Sequence, residues 1–370
     1  MYSLLRMLLF ALDVETAHDL TLGLLRRAYL LPGARALMRA CYARRVPKLP
    51  QRVMGLDFPN PVGLAAGLDK NARVLHPLMD MGFGCLELGT VTPKPQPGNP
   101  KKRMFRLTNQ AAIINRMGFN SDGLAVFLAN LTRQPRPGIL GINIGKNRDT
   151  PVERALDDYL PALRAVYPQA DYVAINISSP NTPGLRSLQD EAPLSALLGT
   201  LKCEQAALTQ QYGRYVPLAL KIAPDLEDAD IDRIARLVQA HRFDAVIATN
   251  TTLARPGVEE SEPHAQEAGG LSGRPLGPLS TRVIRRLYAT LQGQIAIIGV
   301  GGIGSAEDAW EKLVAGADLV QIYTSLIYQG PGLMPHIVRG LERKMHEYGA
   351  DTLVEAVARA RQTGGVKPSR

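Results

Sequence analysis

Three cysteines in 370 residues, Cys41, Cys85 and Cys203, are too few and too scattered for a disulfide framework or a Cys-x-x-Cys metal site. A reducing compartment is the expectation. No run of roughly 18 uncharged apolar residues exists, so no segment is expected to cross a bilayer. An acidic excess is missing too. The 43 basic and 34 acidic residues leave +9, which favours anionic partners but does not choose among phosphates, carboxylates, nucleic acid and acidic lipid. With 45% hydrophobic and 21% charged residues the chain can bury a sizeable core, which excludes disorder, collagen and a coiled coil.

The first residues, MYSLLRMLLFALD, carry leucines at 4, 5, 8, 9 and 12, a helical stripe. The apolar stretch is short, runs into Asp13 and Glu15 and has no small-residue cleavage site, unlike a secretory signal. Asp13 can cap a second helix running toward Leu31, with Pro32 and Gly33 as its stop. His18, Thr21, Leu22, Leu25 and Tyr29 share one face of it. Two readings stand: a helical pair packed on the main domain, or a foot lying on a membrane surface. Arg6, Arg26, Arg27, Arg35 and Arg39 beside the leucines suit an anionic surface.

From Pro61 onward one grammar repeats: a short apolar strand, a polar or glycine-rich loop, an amphipathic helix. Strands are expected at 62–67, 85–90, 139–145, 172–178, 217–223, 245–251, 295–302 and 319–324. Their near-continuous apolar runs suit strands buried on both faces. Helical patterns lie at 71–81, 121–132, 151–167, 228–241, 280–291 and 305–315, with 333–347 closing the set. Eight such units predict a (β/α)₈ barrel, an α/β TIM barrel with a small N-terminal helical extension; a doubly wound sheet is the alternative. Residues 46–60 read as a hairpin that plugs the barrel's bottom. The division is 1–45 for the helical segment and 46–370 for the barrel.

Barrels of this kind carry their chemistry at the carboxyl ends of the strands. There the sequence places Lys70, Thr90, Asn143, Asn176, Ser179, Lys221, Thr249, Asn250, Thr251, Tyr323 and Thr324. A lysine inside the apolar strand LALKIA must meet an anion or a polar mouth. Three strand-end asparagines need partners for their amides, which a heterocycle of carbonyl and N–H groups would supply. GVGGIG at 299–304 fits a dinucleotide fingerprint. It lies too late in the chain for one and reads better as a phosphate cradle of Gly301, Gly302, Tyr323 and Thr324. In NISSPNTPGL, Pro180 holds Ser179 out of helical geometry on a loop that can fold over the mouth. A serine hydroxyl acts as a base only with an acidified substrate proton and a relay for its own.

AAGLDKN (65–71), ELGTVTPKPQPGNPKKRMFRL (87–107), INRMGFN (114–120), NISSPNTPGLR (176–186), KIAPD (221–225), ATNTT (248–252), GGLSGRPL (269–276), GVGGI (299–303) and QIYT (321–324) stand in order along the chain. Together they resemble dihydroorotate dehydrogenase, most closely its membrane-associated, quinone-dependent class 2. That class uses a serine base where class 1 uses cysteine, and Ser179 fills the slot. Val14 departs from a proline common in relatives and touches only the turn between the helices.

The resemblance implies FMN lined by Ala65, Ala66, Gly67 and Thr90, hydrogen-bonded by Asn143, Asn176, Lys221 and Thr249, and held at its tail by Gly273, Gly302, Tyr323 and Thr324. It implies dihydroorotate gripped by Lys70, Asn115, Arg116, Met117, Gly118, Phe119, Asn176, Asn181, Asn250 and Thr251, with Ser179 as catalytic base and orotate as product. It implies a quinone reached past His18 and Arg106, no metal, and a peripheral place on the cytoplasmic side of the cell inner membrane against its anionic surface. A tRNA-dihydrouridine synthase, another FMN barrel, would turn the +9 toward RNA, but it needs a cysteine acid and an appended RNA-binding domain, and no nucleic-acid partner is expected. An inactive barrel kept as a membrane-associated interaction protein is the rival outside enzymes; the intact set of mouth residues weighs against it.

Overall fold

The computed structural model describes residues 2–363. Its strands in chain order are β1 (Gln51–Val53), β2 (Leu56–Phe58), β3 (Val62–Leu64), β4 (Cys85–Val91), β5 (Met104–Leu107), β6 (Ala112–Asn115), β7 (Ile139–Ile144), β8 (Tyr172–Asn176), β9 (Leu218–Ile222), β10 (Ala245–Ala248), β11 (Gly270–Gly273), β12 (Ala296–Val300) and β13 (Leu319–Ile322). β3, β4, β7, β8, β9, β10, β12 and β13 close in that order into a parallel barrel, and β13 pairs back onto β3. All eight strands read from the sequence are there; seven are a little shorter, because their polar ends leave the ladder to line the mouth, and the second runs one residue further, to Val91.

The hairpin pairs β1 with β2, Gln51 opposite Phe58. Phe58, with Val53, Met54 and Leu56, packs on Cys85, Tyr172, Ala219, Ala245 and Leu319 at the amino ends of the barrel strands, covering the bottom as expected. At the other end β5 and β6 form a second hairpin, and β11 joins β6 antiparallel to make a three-stranded sheet beside the mouth. The sequence pattern predicts no strand in these segments, since each is a four-residue run with too little alternation to register.

The N-terminal helices are α1 (Tyr2–Phe10), α2 (Val14–Ala28) and α3 (Ala34–Cys41). Asp13 caps α2 as expected; its Oδ1 accepts the N–H groups of Glu15 and Thr16 at 3.1 Å, which holds its carboxyl below the usual range. The third helix corrects the expectation of two. It starts directly after left-handed Gly33, so the stop read at Pro32-Gly33 is a turn between helices. Helix 333–347 has the predicted bounds, but it does not close the set. Residues Leu353–Gln362 form a further helix whose Ala356 and Ala360 pack with Tyr348 and Trp310.

Candidate active site

The ends of β3, β4, β8 and β9 and the loops after β10, β12 and β13 enclose two overlapping cavities, a larger and a smaller. Ala66, Lys221, Asn250, Thr251, Ser272 and Tyr323 line both. The larger adds Gly67, Lys70, Thr90, Asn115, Met117, Gly118, Phe119, Asn176, Ser179 and Asn181; the smaller adds Ala65, Thr249, Gly273, Gly301, Gly302 and Thr324. Of the residues singled out from the sequence for the mouth, Asn143 and Arg116 alone line neither. Asn143 stands behind the wall, accepting Thr90 Oγ1 at 2.6 Å and Asn176 Nδ2 at 3.2 Å. Arg116 turns outward to Glu267 at 2.7 Å and covers the Phe105 ring at 4.7 Å.

The two neighbouring serines are separated by their partners. Ser178 is bound inside the wall, donating to Asn176 Oδ1 at 3.2 Å and accepting from Asn250 Nδ2 at 3.1 Å. Ser179 faces the cavity, and its Oγ accepts the N–H of Asn181 at 3.3 Å. The loop carrying it is pinned. Arg186 donates to Ser178 O at 3.1 Å, Thr251 O at 3.0 Å and the Asp225 carboxylate at 2.8 Å, while Asn181 Nδ2 reaches Asn115 O at 3.1 Å. Arg186 and Asp225 were not singled out in the sequence, although both end motifs read there.

Lys70 donates to Asn120 Oδ1 at 2.6 Å. Burial, with Arg103 nearby, lowers its ammonium to about 8 against the opposing pull of Glu15 and Asp19. Lys221 Nζ meets an anion, as its strand required: Glu87 Oε1 at 3.3 Å. Glu87, in CLELGT, was also not singled out. Burial pushes the Tyr323 phenol up to about 12.

At the far end of the smaller cavity Gly302 sits at φ +76, where a Cβ would fall 2.2 Å from Gly277 Cα; at Gly273, φ +98, it would fall 2.3 Å from Ala111 O. The amides of Gly302 and Ile303 have no hydrogen-bond partner among the described residues. This glycine-lined cradle, whose cavity Lys221 also lines, has the free backbone amides and the close backbone approach that suit a phosphate.

A third cavity, lined mostly by apolar side chains of α1, α2 and the barrel rim, shares His18 and Met104 with the larger mouth cavity. Burial, with Lys70 close by, lowers the His18 imidazole to about 4, so it is neutral near pH 7. Arg106 lines the same cavity, ties itself to the carbonyls of Leu9, Phe10 and Leu12, and keeps a buried Nε without a partner among the described residues.

A closed parallel barrel with a polar cleft at the carboxyl ends of its strands is a (β/α)₈ enzyme barrel. A profile of the dihydroorotate dehydrogenase family matches residues 48–345. The chain is 56% identical to a "dihydroorotate dehydrogenase (quinone)" of Idiomarina loihiensis over 92% of its own length and 100% of the relative's, and 57% identical to one of Nitrosomonas eutropha over 91% and 96%. The crystal structure of the Eimeria tenella enzyme in complex with ferulenol superposes with a TM-score of 0.84 at 40% identity, covering 93% of this chain and 94% of that one. The chain belongs to the dihydroorotate dehydrogenase family, in its quinone-dependent class 2.

Proposed function

We propose that this chain oxidises (S)-dihydroorotate to orotate in pyrimidine biosynthesis, with FMN as hydride acceptor, a quinone as final electron acceptor and Ser179 as catalytic base. The observation that carries the reading is the adjacency of three cavities: the glycine cradle and the cleft beside Ser179 share a wall of six residues, and that cleft and the apolar cavity share His18 and Met104.

FMN, when bound, supplies the acceptor for the hydride leaving C6 of the substrate. Ala65, Ala66, Gly67, Thr90, Asn176, Lys221 and Thr249 would hold its ring and side chain, and Gly273, Gly302, Tyr323 and Thr324 its tail. Lys70 grips the substrate carboxylate, and Asn115, Asn181, Asn250 and Thr251 orient its ring. Ser179 Oγ takes the C5 proton as its own hydroxyl proton leaves through a relay to solvent, and the Asn181 N–H that this oxygen accepts at 3.3 Å orients it toward the substrate. Lys221 holds positive charge at the cavity floor.

Residues 1–45 form the quinone-access and membrane segment, and 46–370 the catalytic barrel. Leu4, Leu8, Leu24 and Leu37 on these helices and Leu30 and Leu31 in the turn between α2 and α3 are exposed by 52–81%, with Arg35 and Arg39, which share Asp80, beside them, which supports a peripheral seat on an anionic inner-membrane surface at its cytoplasmic side. Among the described residues no helix is long and apolar enough to cross a membrane. The test is stoichiometry: orotate formed and quinone reduced in equal amounts supports the reading, and orotate formed only with a nicotinamide or fumarate acceptor overturns it.

A further inference from the structure

Barrel interiors are normally filled by layers of bulky apolar side chains. In the eight barrel strands here only two residues are charged, Glu87 on β4 and Lys221 on β9, and they meet each other with side chains 0% and 6% exposed. Glu87 is saturated. Its Oε1 accepts from Asn143 Nδ2 at 2.8 Å and Lys221 Nζ at 3.3 Å, and its Oε2 accepts from Gln321 Nε2 at 2.8 Å and Tyr172 OH at 3.1 Å. The donors come from β7, β9, β13 and β8. Room has been made for this layer: a Cβ on Gly141, which pairs with both Glu87 and Tyr172, would fall 2.1 Å from the Tyr172 ring.

A buried ion pair costs more desolvation than apolar side chains of the same volume, so its presence here asks for a use. The use lies one layer up. Lys221 lines both mouth cavities and bonds to no other side chain among the described residues. A carboxylate only accepts, so Asn143 must present its Nδ2 to Glu87 and its Oδ1 outward, to Thr90 and Asn176. Asn176 then presents its own Oδ1 to Asn250. One carboxylate that touches no cavity thus sets the direction of the hydrogen bonds at the wall.

We propose that Glu87 is a positioning residue: from beneath the site it fixes Lys221, Thr90 and Asn176, and its charge offsets the lysine's, holding down the reduction potential of the bound flavin. The inference rests on the FMN reading above. An uncompensated ammonium favours the electron-rich cofactor and would slow onward transfer to the quinone; the carboxylate restrains that preference.

The test compares the midpoint potential of FMN in the wild-type holoenzyme and in Glu87→Gln by equilibration with a redox dye. The expected result is at least a tenfold tighter hold on the two-electron-reduced flavin, a rise of about 30 mV, with sulfite binding to the oxidised flavin strengthened in the same direction. Lys221→Met should move both readouts the other way. A flavin-bearing Glu87→Gln with unshifted potential and sulfite affinity overturns the inference and leaves the functional reading intact; a wild type that binds no flavin overturns both. Should Glu87→Gln fail to fold, the double variant Glu87→Gln/Lys221→Met is expected to recover folding, because the unpaired buried ammonium is the cause. Failure of the double variant as well overturns the inference.

Discussion

Lys70 is the cavity cation whose charge changes near working pH, because burial and Arg103 lower it to about 8. As the pH rises through that value the free enzyme loses the Lys70 proton, and with it the charge that, on the proposed function, would grip the substrate carboxylate. Measured against pH, kcat/KM for dihydroorotate is expected to fall while kcat holds, since a bound carboxylate restores the ammonium. Lys70→Met should cost about 10- to 100-fold in kcat/KM at neutral pH and abolish the alkaline fall; an unchanged profile removes Lys70 from the substrate grip. The residue scale also shows where sequence reading stops. Lys221 was legible because an ammonium in a two-sided apolar strand needs an explanation. Glu87 was passed over because one acid between leucines looks like a solvent-facing position until the barrel closes and turns it inward. Asn143 was read as touching a ligand, and no spacing rule says that Thr90 and Asn176 stand in front of it.

The elements that join foot and barrel are tied by a buried pair: Glu15 on α2 meets Arg103 at 2.6 and 3.1 Å, and Arg103 also donates to Pro97 O and Asn99 O in the loop before β5. Removing residues 1–45 leaves Arg103 those two carbonyls, so the barrel is expected to keep its flavin and its reduction by dihydroorotate. The apolar channel loses the wall built by α1 and α2, so turnover with a long-chain quinone should drop at least tenfold. Steady-state assays with a long-chain and a water-soluble quinone check this; equal long-chain turnover after deletion contradicts the access role. Helical periodicity and Asp13 made α1 and α2 readable. Helix α3 was hidden because Pro32-Gly33, a strong stop signal, here turns the chain straight into another helix.

At the scale of the whole molecule, the eightfold alternation of strand and helix was legible because each barrel strand is buried on both faces and each helix on one. The ring of polar strand ends followed from that, since a barrel brings them to one rim whatever their separation in sequence. The meeting of the channel with the mouth at His18 and Met104 was not readable by pattern. It depends on how α2 lies across the β5–β6 hairpin, a packing choice rather than a spacing. The account turns on the oxygen of Ser179 acting on a substrate held in that mouth, and the most direct measurement is anaerobic stopped-flow reduction of the flavin by dihydroorotate in the wild type and Ser179→Ala. The prediction is rapid bleaching of the visible flavin band in the wild type, and a yellow variant whose reduction is slower by about 10²- to 10⁴-fold. A variant reduced as fast as the wild type, or a wild-type flavin that dihydroorotate leaves oxidised, would contradict it.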